Sequence, residues 1–419
     1  MTELLIQMVA VLFTALLCGL IARKIGQPRV IGEIVGGILL GPSFLGRIAP
    51  QTFSRLFPQR SFGPFEVLST VGLVLFVFLI GSQLDIEHLS RKKKTAALAS
   101  SMSILIPCVL ASVLAPSLRT RFAPQGVGSV AFLLFFCVSM SITAFPVLAR
   151  ILEERGMLSS RLGTTALVCA AADDVGAWIL LAFGLTLIPH SEQAIGLTYR
   201  IVCLVAYLVG MLGILFPLSN RYAERPRQQG SAVLSHEMLA AIALCVLASA
   251  AATEAMGVHP LFGAFIAGIC FPRIPEWQNT VRARLDTAVT VLLLPFFFVL
   301  TGMRTRLDLL SDGAIWLWTV LVVAVAVGGK MGGAVLAARL TGETWRFALA
   351  LGALLNARGL VELIVLNVAY DAHVFSATLF TMLIAMALIT TMMTAPLLNL
   401  VGVQKSAKRG GISPSLGAS

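Results

Sequence analysis

Charge is what this 419-residue chain has least of: Asp, Glu, Lys and Arg make up 12% of it, against roughly a quarter in an average soluble domain. With 58% hydrophobic residues and a mean hydropathy of +0.91, a soluble globular domain is excluded and the bilayer is the solvent. A cysteine framework is also missing. The seven cysteines (Cys18, Cys108, Cys137, Cys169, Cys203, Cys245 and Cys270) stand singly with no CxxC and read as small apolar packing residues. No GxxxxGK[ST] loop is present, which excludes a nucleotide-driven pump. No cluster of His, Cys and carboxylate has transition-metal spacing, and nothing calls for a cofactor. The short alternating segments of a β-barrel are absent as well. The first apolar run follows Thr2 and Glu3, with Arg23 and Lys24 behind it, so it reads as a retained span and not as a secretory signal.

What is there is a succession of continuous apolar runs, each near the 17 to 25 residues that cross a hydrocarbon core as a helix. The pattern predicts an all-α integral membrane protein with about thirteen spans: 4–22, 29–46, 64–82, 95–115, 128–152, 162–187, 196–219, 233–255, 258–272, 286–303, 312–338, 345–370 and 374–402. With the amino terminus outside, about 20 of the 31 basic residues fall in inner loops and about 8 in outer ones, while Arg150, Lys330 and Arg358 lie within spans. That distribution predicts amino terminus out and carboxyl terminus in. The net charge of +11 then reflects topology and contact with anionic lipid, not a nucleic-acid surface. Trp277, Trp316, Trp318 and Trp345 fall at span ends and read as interfacial anchors.

Against this background two adjacent acids, Asp173 and Asp174, stand in the middle of the run TTALVCAAADDVGAWILLAFGLTLI. A carboxylate at the bilayer centre costs roughly 2.5 to 3.5 kcal/mol on insertion scales, so the pair marks an ion or proton site. Consecutive helical residues diverge by about 100°, so the two acids face different surroundings and have different roles.

A weak internal repeat accompanies the pair. The second span reads GEIVGGILLGP (Gly32 to Pro42) and the ninth GAFIAGICFP (Gly263 to Pro272). An odd number of spans separates them, so the repeats are inverted, five helices each. Corresponding later spans are both interrupted at mid-depth, one at SMSITAFPVLARIL with Pro146 and the other at LLNARGLVELIV with Asn356, Arg358 and Gly359. Irregular backbone at that depth survives only when buried in protein or lining a cavity.

These segments, together with GVHPLFGAFIAG and GKMGG, resemble the monovalent cation:proton antiporter-2 family, in its cation/H+ exchanger branch, over about residues 4 to 402. The resemblance implies a sodium/proton antiporter fold with two crossed discontinuous helices. It further implies a core of about 95–187 and 312–402, a dimerisation scaffold of about 4–82 and 196–303, a homodimer, and a short cytoplasmic tail from 403 to 419. By resemblance, Asp174 matches the main cation- and proton-binding carboxylate and Asp173 the acid that pairs with a lysine. Lys330, flanked by Gly328, Gly329, Gly332 and Gly333, is the candidate for that lysine. Thr143 matches a threonine that offers oxygen to the ion, and Ser141 is a second candidate. Asp173, Asp174 and Thr143 would thus ligate the monovalent cation. Arg358 and Glu362 are four apart and able to pair. Arg358 is expected to neutralise a carbonyl end or a carboxylate and so fix the crossing, with Asn356 beside it. Glu33 matches a family acid and either positions its helix or belongs to a funnel. His259 is placed at the outer interface, and Glu254 is a further acid within a span.

The function implied is exchange of Na+ or K+ for protons across a cell membrane by alternating access, electrogenic if two protons move per cation. Protons, a monovalent cation and lipid are the partners. Two alternatives stay open from the sequence: a channel-like potassium efflux pathway, whose relatives carry a nucleotide-binding domain where this chain has about 17 residues after 402, and an ion-coupled exporter of an organic solute.

Overall fold

The computed structural model describes residues 2–58, 62–83, 94–157, 160–186, 197–219, 221, 235–256, 260–272, 274–310 and 312–402. His259, several basic loop residues and the tail from 403 lie outside the described residues. Among the described residues the chain is helical and has no strand, as a backbone must be where lipid offers it no hydrogen bonds. The principal helices are α1 (Thr2–Lys24), α2 (Arg29–Leu40), α3 (Phe62–Gln83), α4 (Lys94–Phe122), α5 (Ser129–Ser141), α6 (Phe145–Glu154) and α7 (Arg161–Thr186). Then follow α8 (Leu197–Leu208), α9 (His236–Ala255), α10 (Pro260–Ile269), α11 (Pro275–Arg304), α12 (Gly313–Leu340), α13 (Trp345–Leu355), α14 (Leu360–Asp371) and α15 (Ala377–Leu400). Where a loop meets a helix, the first amides are capped by the side chains of Ser235, Asp312, Thr344 and Ser376.

Among the described residues ten helices are long and apolar enough to cross a membrane, or eleven with the α13–α14 pair, bent by 43°, taken as one span. The expected count of thirteen is therefore not confirmed. Helices α5 and α10, with 13 and 10 residues, rise too little at about 1.5 Å per residue to cross about 30 Å of hydrocarbon. Trp316 and Trp345 are 49% and 61% exposed, as anchors would be, but Trp277 is buried in the apolar core and is no anchor. Glu254 is exposed on α9.

The helices pack as two groups, α1–α3 with α9–α11, and α4–α7 with α12–α15. In the first group the sequence repeat becomes a repeated contact. Side chains at Gly32 or Gly263 would overlap the carbonyl of Cys18 on α1 or Ser249 on α9, respectively. Five residues on, Gly37 meets the Val299 carbonyl of α11, and Gly268 meets the Phe78 carbonyl of α3. The same register thus recurs with the partners exchanged between halves, which is what an inverted repeat produces. In the second group α4 and α12 approach backbone to backbone at Gly329 against Pro107 and Gly333 against Met102, while Gly328 and Gly332 face open space.

Because the crossings of α2 with α11 and of α10 with α3 leave no room for a β-carbon, Gly37→Val or Gly268→Val should cost ~1–3 kcal/mol or more through overpacking. The cost should be read as a lowered thermal midpoint in detergent. Gly332→Ala, where an added β-carbon meets nothing within 4 Å, should leave the midpoint unchanged.

Candidate functional site

Two interrupted helices meet in the second group. Helix α5 ends at Ser141 and α6 begins at Phe145, with Ile142, Thr143 and Ala144 extended between them. Helix α13 ends at Leu355 and α14 begins at Leu360. The breaks are joined directly, the Ala144 amide donating to the Ala357 carbonyl at 3.1 Å. Close approach requires Gly359 there: a β-carbon on it would lie 2.5 Å from Val147 Cγ2 and 3.2 Å from Ala144 Cβ.

Asp173 and Asp174, on α7, are both buried beside this crossing. Asp173 is held by three donors. Ser100 Oγ on α4 donates to its Oδ1 at 2.9 Å, while Thr143 Oγ1 and Lys330 Nζ donate to its Oδ2 at 2.7 and 2.8 Å. Lys330 is fully buried and also donates to the Ser141 carbonyl, the last of α5. The Asp173–Lys330 pair is therefore a closed ion pair with its remaining hydrogen-bonding capacity largely used. Asp174 differs: neither of its carboxylate oxygens has a hydrogen-bond partner. Helix α6 begins beside it at Phe145, with its positive end toward the acid. One turn of helix backbone thus carries one satisfied acid and one unsatisfied acid side by side.

At the second break, Arg358 is buried and spends its guanidinium on α5. Its Nη1 donates to the Ser139 carbonyl at 2.6 Å and its Nη2 to the Met140 carbonyl at 2.7 Å. Nη1 also donates to Glu362 Oε1 at 3.1 Å, one turn on. The last three carbonyls of α5 are thereby capped by two cations, Arg358 on Ser139 and Met140, and Lys330 on Ser141. The carbonyl of Leu355, at the end of α13, lies 3.1 Å from the same Thr143 hydroxyl and competes with Asp173 for its one proton. Asn356 donates to the Thr390 carbonyl at 3.3 Å. Thr391 on α15 accepts from the Arg358 amide at 3.0 Å and donates to the Arg358 carbonyl at 2.7 Å. Thr391 lies at nearly the same depth of α15 as Asp174 does of α7, each facing the start of a half-helix.

The structure therefore brings together Asp173, Asp174, Thr143, Lys330, Arg358, Glu362 and Asn356. Ser141 contributes its carbonyl, whereas its hydroxyl bonds back to Cys137 at 2.7 Å. Glu33 lies on α2 and pairs with Arg29, four residues earlier on the same helix, at 2.7 Å, and it is not among the partners of the two acids. Sequence reasoning missed Ser100, Thr391 and the carbonyls of Ser139 and Met140. Serines and threonines are so common in apolar spans that only their partners single these out.

A membrane bundle of inverted repeats, with two broken helices crossing beside buried acids, defines a secondary transporter of the sodium/proton antiporter fold. The model of the family described as sodium/hydrogen exchanger, transmembrane, matches residues 12–400. The chain belongs to that family. It is 38% identical to the Na(+)/H(+) antiporter NhaS4 of Synechocystis, over 94% of this chain and 96% of that one. It is 36% identical to Cation/H(+) antiporter 17 of Arabidopsis thaliana and 32% identical to K(+)/H(+) antiporter 1 of Saccharomyces cerevisiae, over 94% and 93% of this chain. The chain spans 48% and 45% of the length of these two. Among solved structures, the sodium proton antiporter MjNhaP1 of Methanocaldococcus jannaschii superposes with a TM-score of 0.62, covering 96% of this chain and 98% of that one at 15% identity. That likeness is one of fold.

Arg358→Ala should strip the α5 carbonyls of their partner and leave Glu362 buried as an unpaired charge, a loss of ~3–5 kcal/mol. Adding Glu362→Gln to Arg358→Ala should recover part of that loss. Thermal unfolding of the single and double variants in detergent checks both expectations.

Proposed function

We propose that this chain is a secondary active antiporter, exchanging a monovalent cation, Na+ or K+, for protons across a cell membrane. The observation that carries the reading is the contrast between the two acids. Asp173 is fixed by Ser100, Thr143 and Lys330, whereas Asp174 is buried with both oxygens unpaired. The naming of relatives as Na(+)/H(+), K(+)/H(+) and cation/H(+) antiporters supports it.

A carboxylate in a low-dielectric interior without a partner must be neutralised before it moves through lipid depth. A proton does this by covalent addition to one oxygen. A hard monovalent cation does it by binding to the same oxygens, with water and nearby carbonyls completing its shell. The two loads exclude each other at Asp174, and an empty, charged site is penalised. That penalty couples the two fluxes. If Asp173 also takes a proton when its bond to Lys330 opens, two protons move per cation and net charge crosses, each charge worth about 2.3 kcal/mol per 100 mV.

In this reading the helices of about 95–187 and 312–402 are the moving core and those of about 4–82 and 196–303 the scaffold, through which two copies associate. The amino terminus lies outside and the carboxyl terminus inside. A cavity of about 390 Å³ at the corner between α1 and α2, lined by Gln27, Pro28, Arg155, Thr391 and Asn399, supports access from the inner side in this conformation.

In everted vesicles with a pH-sensitive dye, Na+, K+, Li+ or Rb+ should dissipate an imposed proton gradient. Asp174→Asn should abolish that response while the protein still elutes as a folded species. A wild type that answers none of these ions but moves an organic solute would refute the antiporter reading.

A further inference from the structure

The two helix groups meet along a boundary whose ends are built differently. At the end carrying the last turns of α11 and α14, one arginine spans the boundary. Arg304 Nη2 donates to Glu66 Oε1 on α3 at 3.0 Å, and its Nη1 donates to Asn367 Oδ1 at 3.0 Å and to Asp371 Oδ1 at 2.9 Å, both on α14. Asn367 in turn donates to Thr301 Oγ1 on α11 at 3.0 Å. These side chains stand on the wall of a cavity of about 230 Å³, which Ser69, Leu261 and Ile364 also line. At the opposite end the boundary holds the larger, 390 Å³ cavity, where Gln27 donates to the Met392 carbonyl at 3.4 Å. Ile31, Ile34, Val147, Leu363 and Leu388 line, with Arg358 and Gly359, a much smaller gap of about 10 Å³.

We propose that Arg304 is a latch. With Glu66 on one side and Asn367 and Asp371 on the other, it holds the end of the boundary that the charge distribution puts outside shut, and thereby favours the conformation open to the inner side. The inference rests on the antiporter reading, in which the group containing α14 moves against the group containing α3 and α11. Helix α14 makes it specific. It is the second half of a broken helix, and its first residues pack at the crossing beside the ion site while its last turn carries Asn367 and Asp371. A displacement of the crossing therefore moves the residues that Arg304 grips. The guanidinium suits the role because its planar fork engages several acceptors at once, so all of them are released together when either group shifts. A device that stabilises one of two states shifts their populations by the factor it contributes, without altering the chemistry at the site.

The test reads accessibility and transport separately. Ser69, a buried residue, lines the 230 Å³ cavity, and the rate at which Ser69→Cys is labelled by a membrane-impermeant thiol reagent is measured from the outer face, against the same protein with its native cysteines alone. Adding Arg304→Gln should raise that rate about tenfold. Glu66→Gln with Asp371→Asn should raise it comparably, and Arg304→Lys should fall between. In vesicles of the two orientations, Arg304→Gln should lower the KM for cation presented at the outer face and raise it at the inner face, with the maximal rate moved less. Unchanged labelling and unchanged sidedness of KM in both the Arg304→Gln and the paired carboxylate variants, in protein that still exchanges ions, would overturn the latch. Wild-type protein that shows no ion-driven proton flux would instead overturn the antiporter reading, whatever the labelling rates. If Arg304→Gln does not fold, the carboxylate pair and Arg304→Lys decide the question.

Discussion

A helix broken inside a bilayer leaves carbonyls and amides that lipid cannot satisfy, and each one orphaned costs several kcal/mol. This constraint organises the protein. The last turn of α5 presents three carbonyls at the break, and the chain answers with two cations from distant helices, Arg358 for Ser139 and Met140 and Lys330 for Ser141. Each cation then needs its own counter-ion, which brings in Glu362 and Asp173. Four buried charges exist because two helices are interrupted. They compensate pairwise, so the interior remains nearly neutral despite its ionic content.

Within that frame Asp174 is the exception, and the difference from Asp173 is geometric. Neighbours on a helix point about 100° apart. One therefore reaches Ser100, Thr143 and Lys330, while the other reaches only the amide end of α6. Asp173 belongs to the structural ion-pair system and Asp174 stands outside it. A carboxylate engaged by fixed donors gives them up only at high cost, whereas both oxygens of Asp174 are without one.

Much of this was legible in the sequence, for reasons that can be named. The acid pair and Lys330 stand out because charge in an apolar run is rare, and the breaks because Pro146, Asn356, Arg358 and Gly359 disrupt otherwise continuous spans. The repeat was visible through glycines, which crowd where backbones touch, and Gly37 and Gly268 do so in the same register. Other features had no local signature. Ser100 is one serine among several in its helix, and its partner is 73 residues away. Thr391 matters only through a backbone 33 residues earlier. The bonds from Arg304 reach 238 residues back to Glu66 and 67 forward to Asp371. The count of thirteen spans is not confirmed for a related reason: α10 is apolar enough to read as crossing, but at 10 residues it is too short to span the hydrocarbon by itself.

The likeness between Thr391 and Asp174 has its own consequence. The architecture is duplicated, with two half-helix amide ends facing two flanking helices, yet one copy presents a neutral hydroxyl that folds back on the adjacent main chain. At these two positions the doubled frame therefore carries an acid once and a hydroxyl once. Symmetry supplies the frame of the bundle, and its local loss at one position makes the two halves chemically unequal.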